Sequence, residues 1–442
     1  MPDSRYLAIK KHYAVFKQLL LLTAITLPVA VVVGSMVALF LWLLTWAINF
    51  RFAHPWLLYL LPVAGVVIYF TYKFYGSSSE KGNNLVIDEI HQPGGGVPKR
   101  MTPLVLAATV VTHLFGGSAG REGTAVQMGG SIAQVVTNWF KLNAADNAVI
   151  LTAGVAAGFG AVFGTPLTGA IFAMEVLTLG RVKYNAWLPC LVASIVADIT
   201  VSAWGIHHTA YHIDIISNIP HLYGNHFPFQ ALLLVKVIIA SIAFGLASWL
   251  FATSVHGVKD LFNKFIFPKW AIPVLGGMII IALTFAIGKP DYLSLGIDAE
   301  HAGAVTIPSA FNAGGADTWS WLWKTIYTVV TLGTGFKGGE VTPLFYIGAT
   351  LGNTLSVLMG APVSLFAALG FIAVFAGATN TPLACTVMGA ELFGSEYVLF
   401  FAVACFVAYL FSGHSGIYTS QQKNTPEFFE KRYIHQKLRK YI

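Results

Sequence analysis

The sequence predicts an all-α integral membrane protein, and three observations carry that prediction. Only 10% of its 442 residues are charged and 56% are hydrophobic, whereas soluble domains carry about a quarter charged residues. Mean hydropathy is +0.69. The apolar residues fall in long runs broken by glycine and proline. In lipid such runs satisfy their own backbone as helices. Length alone suggests two or three soluble domains; composition replaces them with one large bundle. The 43 glycines suit close-packed and broken membrane helices.

Taken in order, residues 1–17 carry Arg5, Lys10, Lys11 and Lys17 and read as a short amphipathic cytoplasmic helix. The apolar run 18–50 exceeds the roughly 20 residues a bilayer needs, which predicts a tilted span. It is also too long for the apolar core of a signal peptide. A second span covers about 55–75, and a polar stretch follows over 76–100. Further segments at about 103–117, 123–140, 147–160, 164–179 and 186–204 complete a first membrane unit, 18–204. A polar loop, 205–226, holds the cluster His207, His208 and His212, expected in solvent because its spacing suits no metal. The second unit, 227–422, has segments at about 229–252, 271–287, 319–333, 341–359, 363–377, 382–394 and 396–412. A cytoplasmic helix is expected over 425–440, in a basic tail running 423–442. The basic ends place both termini in the cytoplasm, which demands an even number of crossings.

The two units correspond. Glu340-Val341-Thr342 echoes Glu122-Gly123-Thr124 about half a chain later, and Thr381-Pro382-Leu383 repeats Thr165-Pro166-Leu167 at nearly the same offset. Each Thr-Pro-Leu is followed by a glutamate, Glu175 or Glu391, and Gly129 is echoed by Gly348. Several segments are short or interrupted, as at Gly158-Phe159-Gly160-Ala161-Val162-Phe163-Gly164-Thr165-Pro166. Paired broken segments of this kind point to inverted repeats with a site near the membrane midplane. Glu175 and Glu391, at apolar helix ends, read as capping or snorkelling carboxylates. Asp88 and Glu89 are expected in solvent.

The stretch on which the chain turns is Gly116-Gly117-Ser118-Ala119-Gly120-Arg121-Glu122-Gly123-Thr124. Its glycines leave backbone N–H groups free, and a helix starting near Glu122 adds the positive end of its dipole. Together they make an anion site built from main chain. Glu122 is then a tethered anion that occupies the site when ionised and leaves it when protonated. An acid at membrane depth is a functional residue by default. The plainer alternative is an Arg121–Glu122 ion pair at a helix end.

At Gly120-Arg121-Glu122-Gly123 the chain resembles the CLC superfamily of anion channels and anion/proton antiporters, and the likeness covers essentially the whole chain. It implies two inverted-topology repeats of many short, tilted and broken helices, a homodimer with one pore per subunit, and an external gating glutamate, here Glu122, between Gly120 and Gly123. The family's first anion motif, usually Gly-Ser-Gly-Ile-Pro, has two competitors here. Gly95-Gly96-Val97-Pro98 is closer by letter but lies too near the gate. Gly82-Asn83-Asn84-Leu85 stands at the family's usual distance before Glu122, which puts Asn83 in the serine's place, and it is preferred. Gly338-Gly339-Glu340-Val341-Thr342-Pro343 resembles the fluoride/proton antiporter branch. That likeness implies Glu340 as a second proton-handling acid, because Val176 follows Glu175 where many chloride/proton antiporters carry an internal glutamate. Fluoride donors are then expected from Asn83, the hydroxyls of Thr342 and Tyr418, and the ring edge of Phe345 or Tyr346.

The expected substrates are therefore fluoride and protons, and the expected setting is the lipid of the inner cell membrane. A chloride/proton exchanger or passive chloride channel of the same superfamily is the alternative. No Ser/His pair or His/Glu metal pair at useful spacing suggests an enzyme, and no cofactor or metal site is expected. The three cysteines lie in apolar runs without a disulfide pattern. The net charge of +7 is no nucleic-acid footprint, because the bases gather at the chain ends.

Overall fold

The computed structural model describes residues 4–211, 213, 227–413 and 415–423. The helix expected over 425–440, along with His212, lies outside the described residues. Fifteen α-helices and no strand are found among the described residues.

The first helix, α1 (Ser4–Ala53), runs unbroken past residue 17, where the sequence suggests a boundary. No glycine or proline lies between Ser4 and Leu27, so nothing in the local chemistry stops it. Pro28 is accommodated inside the helix. Then come α2 (Leu61–Thr71), α3 (Asn83–His91), α4 (Met101–Leu114), α5 (Glu122–Phe140), α6 (Ala144–Phe163), α7 (Pro166–Glu175) and α8 (Trp187–Ala203). The second half supplies α9 (Phe227–Phe265), α10 (Ala271–Ile287), α11 (Ser320–Gly333), α12 (Val341–Met359), α13 (Val363–Thr379), α14 (Pro382–Phe393) and α15 (Val398–Phe411).

These halves repeat one another. Helices α4, α5 and α7 recur as α11, α12 and α14 at a nearly constant offset along the chain. The packing repeats too: α5 lies on α6 as α12 lies on α13, and α1 covers α6 and α8 as α9 covers α13 and α15. Helices α6 and α13 are apolar all round and buried almost throughout, which is where such a helix is stable. Glycine sets these crossings. A Cβ on Gly129 would lie 2.0 Å from the Gly154 carbonyl oxygen, and one on Gly348 would lie 2.0 Å from that of Gly370. Only glycine lets the two backbones approach so closely.

Two further contacts show the symmetry in atoms. The Glu175 carboxylate, ending α7, accepts from Leu383 N (3.0 Å) and Ala384 N (2.7 Å) at the start of α14. The Glu391 carboxylate, near the end of α14, accepts from Leu167 N (2.9 Å), Thr168 N (2.8 Å) and Thr168 Oγ1 (2.5 Å) at the start of α7. Each acid caps the other helix, joining negative charge to free N–H groups and a positive dipole end. The capping reading of both acids therefore holds. Second, Gly120 and Gly339 form an antiparallel bridge, Gly120 N donating to Gly339 O (2.6 Å) and Gly339 N to Gly120 O (2.7 Å). Gly120 and Gly339 each lie two residues before the next helix, α5 or α12, so the bridge joins equivalent positions of the two halves.

That bridge also corrects the register read from letters. Gly120 pairs with Gly339, so Arg121 and not Glu122 stands at the position equivalent to Glu340. Glu122 corresponds to Val341, the residues that open α5 and α12. The two glutamates share a motif by spelling but not by place.

Candidate anion site

Helices α5 and α12 both start at the glycine bridge, so two sets of unpaired N–H groups converge there. The loop carrying Glu122 is pinned from outside itself. Ser118 N donates to Thr331 Oγ1 (3.1 Å), Ser118 Oγ lies 2.9 Å from Thr328 Oγ1, and His113 Nε2 lies 3.0 Å from Ala119 O. Ser118, His113, Thr328 and Thr331 are all buried. The loop is held by polar side chains of α4 and α11 inside an apolar surround, where each such bond is costly to leave unmade.

Glu122 is buried, at 1% relative exposure. Its Oε2 accepts from Thr342 N (3.0 Å) and Arg121 N (3.1 Å), and its Oε1 accepts from Thr342 Oγ1 (2.6 Å). The Arg121 guanidinium is farther, with Nε 3.7 Å from Oε1. The ion pair offered by the sequence as the plainer alternative exists, but it is the weakest of these contacts. The carboxylate is held chiefly by the first turn of the opposite repeat. Gly120 is required here, since a Cβ would meet Glu122 Oε2 at 2.9 Å and Gly339 O at 3.0 Å.

One small cavity has this carboxylate in its wall, and another lies against the first turns of α5. One is lined by Arg121, Glu122, Thr342, Phe345, Phe371 and His208, among others, and holds about 20 Å³. The other includes Asn83, Val126, Phe172, Val176 and Tyr418 and holds about 10 Å³. Each volume suits one water molecule, or one anion of that size. Of the two candidate motifs, the geometry favours the one with Asn83. Its Nδ2 lies 2.9 Å from where a Gly123 Cβ would be, so it abuts the start of α5. Its Oδ1 is buried without a hydrogen-bond partner among the described residues. The N–H groups of the rival loop are already used: Gly94 N and Gly95 N donate to the Glu89 carboxylate (3.0 and 3.2 Å), and Val97 N donates to Gln134 Oε1 (3.2 Å). Glu89 is consequently buried, not solvated as expected.

Tyr418 reaches Asn83 through a docked loop. Ser420 N donates to Asn84 Oδ1 (3.0 Å) and Ile417 N to Ala378 O (2.9 Å). Phe345 lines the Glu122 cavity and stacks on Phe371 with centroids 3.8 Å apart. Tyr346 does not face it; its hydroxyl donates to Val305 O (3.1 Å), and its ring meets Tyr292 edge-on. Adjacent helix positions point about 100° apart, so one of the two had to turn away. Glu340 precedes α12 beside the bridge and lines neither cavity.

The family model described as voltage gated chloride channel matches residues 63–413. The chain belongs to this family. A relative in Pseudomonas syringae pv. tomato, named chloride/fluoride channel protein, is 49% identical over 397 residues, covering 89% of this chain and 84% of the relative. The crystal structure of a CLC-type fluoride/proton antiporter superposes with a TM-score of 0.84 at 33% identity, covering 92% of this chain and 99% of that one. A slow cyanobacterial Cl⁻/H⁺ antiporter gives 0.74 at 19% identity over 90% of this chain and 96% of that one, a likeness of fold. This CLC chain thus has the all-helical membrane fold expected of it.

Sequence reading missed three further features, one of them in the site. His208 lines the Glu122 cavity and is only partly exposed; its place depends on how the connection after α8 folds back. Lys324 is wholly buried in α11, donating to the carbonyls of Tyr292 (3.1 Å), Leu293 (3.4 Å) and Ser294 (2.7 Å). A lone lysine in an apolar helix was the available signal, since a charge at that depth must be paired with polar groups. The Glu175 and Glu391 exchange needed the fold, because each acid finds its partner in the other half of the chain.

Proposed function

We propose that this protein is a fluoride/proton antiporter that exports fluoride in exchange for protons, with Glu122 as the acid that couples the two. One observation carries the reading: a buried carboxylate sits in a cradle of donors from both repeats and lines an ion-sized cavity, with a second such cavity against the start of α5. A carboxylate there is chemically a stand-in for the transported anion. When ionised it fills the donors. When protonated it no longer matches a ring of hydrogen-bond donors, withdraws, and leaves Thr342 N, Thr342 Oγ1 and Arg121 N to an anion. Fluoride holds its hydration shell tightly, so a site must supply many donors to replace it. Asn83, the Tyr418 hydroxyl and the Phe345 ring edge, facing the two cavities, supply more.

In this reading Glu340 is the second acid. It serves from beside the bridge and not as a mirror of Glu122. The short stretches at 73–81, 99–100 and 181–183 and the C-terminal end of α9 with the turn after it carry Lys73, Lys81, Lys99, Arg100, Arg181, Lys183, Lys259, Lys264 and Lys269. The connection 289–317 is rich in acid, with Asp291, Asp298, Glu300 and Asp317. The positive-inside rule then puts the first set, and both termini, in the cytoplasm of an inner-membrane protein. A homodimer is in keeping with the exposed apolar residues of α8 and α15, including Ile195, Ile199, Leu399, Phe406 and Leu410.

Fluoride-electrode traces from proteoliposomes, with and without a pH gradient and with chloride run in parallel, test the proposal. Fluoride movement that drives protons uphill is the expected result. Chloride moving as fast as fluoride, or fluoride moving without protons, would favour an exchanger or passive channel for chloride.

A further inference from the structure

The histidine of the connecting loop lies where a proton relay is needed. His208 and Glu122 line the same cavity, which at about 20 Å³ admits a single water. The His208 Nε2 is buried, has no hydrogen-bond partner among the described residues, and lies 3.6 Å from Asp198 Oδ1 on α8. A Cβ on Gly164 would meet the imidazole at 2.5 Å, so glycine at the end of α6 makes room for the ring. The cavity's walls on this side are His208, Thr209 and Tyr211 of the connection after α8 and Ile297 of the acid-rich 289–317 connection, which the positive-inside rule sets opposite the basic loops. Glu122 itself is buried at 1% exposure and cannot meet bulk water directly, whereas the His208 and Asp198 side chains are 20% and 23% exposed. His208 therefore reaches from the protein surface to the cavity that Glu122 lines, with Asp198 beside it.

We propose that His208, backed by Asp198, is the outer-face proton donor to Glu122, acting through one water in the cavity they share. This rests on the antiport reading above. A proton arrives from outer water at the imidazole, making it imidazolium, with Asp198 offsetting the charge. The imidazolium gives a proton to the bridging water while that water gives one to the Glu122 carboxylate. Neutral imidazole, water and a neutral Glu122 carboxyl remain, and the carboxyl is free to leave its cradle. Histidine suits the step because it changes charge near physiological pH. The charged and titratable groups facing His208 are Asp198 from α8 and Arg121 and Glu122 from the start of α5. Tyr211 lines the same cavity.

The test is fluoride/proton exchange by the full chain in proteoliposomes, measured between about pH 5 and 8. In the parent, exchange should be sustained into the neutral range. His208→Ala and His208→Gln should slow it at least about tenfold at neutral pH and approach the parent in acid, where water protonates Glu122 unaided. Free imidazole should restore exchange in His208→Ala but not change the parent. Asp198→Asn should give an intermediate pH profile. A His208→Gln profile running parallel to the parent's, or no rescue by imidazole, would overturn the relay and leave His208 a packing residue. A parent that exchanges no protons for fluoride at any pH would instead sink the antiport reading itself. If both His208 variants reconstitute poorly, Asp198→Asn carries the pH test.

Discussion

Replacing Glu122 by glutamine removes charge at the gate while keeping its shape. In the parent, two backbone N–H groups point at Oε2 and the Thr342 hydroxyl at Oε1. Glutamine can place its carbonyl oxygen where Oε2 was and keep both backbone bonds. Its amide N–H₂ then faces the Thr342 hydroxyl, which can turn and accept. All three bonds survive, but each passes from charge-assisted to neutral. Hydrogen bonds to charged groups contribute about 1.5–3 kcal/mol and neutral ones about 0.5–1.5, so each weakens by about 1 kcal/mol and the three by about 3. At about 1.4 kcal/mol per tenfold, the side chain is displaced from its cradle on the order of a hundredfold more easily. Fluoride should therefore compete better for the site, and apparent affinity should rise. Proton coupling should vanish, because an amide has no proton to exchange. Simultaneous fluoride and pH electrodes on Glu122→Gln proteoliposomes check both. A fluoride gradient that still drives protons uphill in this variant would refute the gate as described.

Four further outcomes follow from particular contacts. Thr342→Val keeps the side chain's volume but deletes the 2.6 Å donor to Glu122; exchange should slow by about tenfold, the loss of a charge-assisted bond, with unchanged elution as a folded species. Tyr346→Phe removes the hydroxyl's bond to Val305 O, away from the Glu122 cavity, so transport should stay within about twofold while stability falls by about 1 kcal/mol. Phe345→Leu, by contrast, should alter fluoride-over-chloride preference, and equal effects of both variants on selectivity would contradict the geometry. Gly348→Ala would push a methyl to 2.0 Å from the Gly370 carbonyl; it should cost about 3 kcal/mol or more by forcing α12 from α13, read as a lowered melting temperature in detergent.

Much of this protein was legible as a string. Composition and apolar run lengths settle the membrane class, because hydrocarbon admits so few backbones that hydropathy nearly decides the matter. The Thr-Pro-Leu pair and the trailing glycines reveal duplication, since both halves must solve the same packing problem. Gly-Arg-Glu-Gly resembles the gating motif of the CLC superfamily, and an acid at membrane depth points to function by default. Letters failed where geometry acts at a distance. They set Glu340 opposite Glu122, whereas the Gly120–Gly339 bridge sets Arg121 there. They left Phe345 and Tyr346 tied, because neighbouring helix positions differ only in direction, which packing chooses. They put His208 and Glu89 in water, because a loop's polar residues look solvated until the chain folds back over them. What the sequence determined was therefore which residue types must meet lipid, glycine or charge, all local demands of solvent and backbone. What only the tertiary structure decided was which groups, half a chain apart, share one cavity, since that depends on the two repeats closing around a common axis.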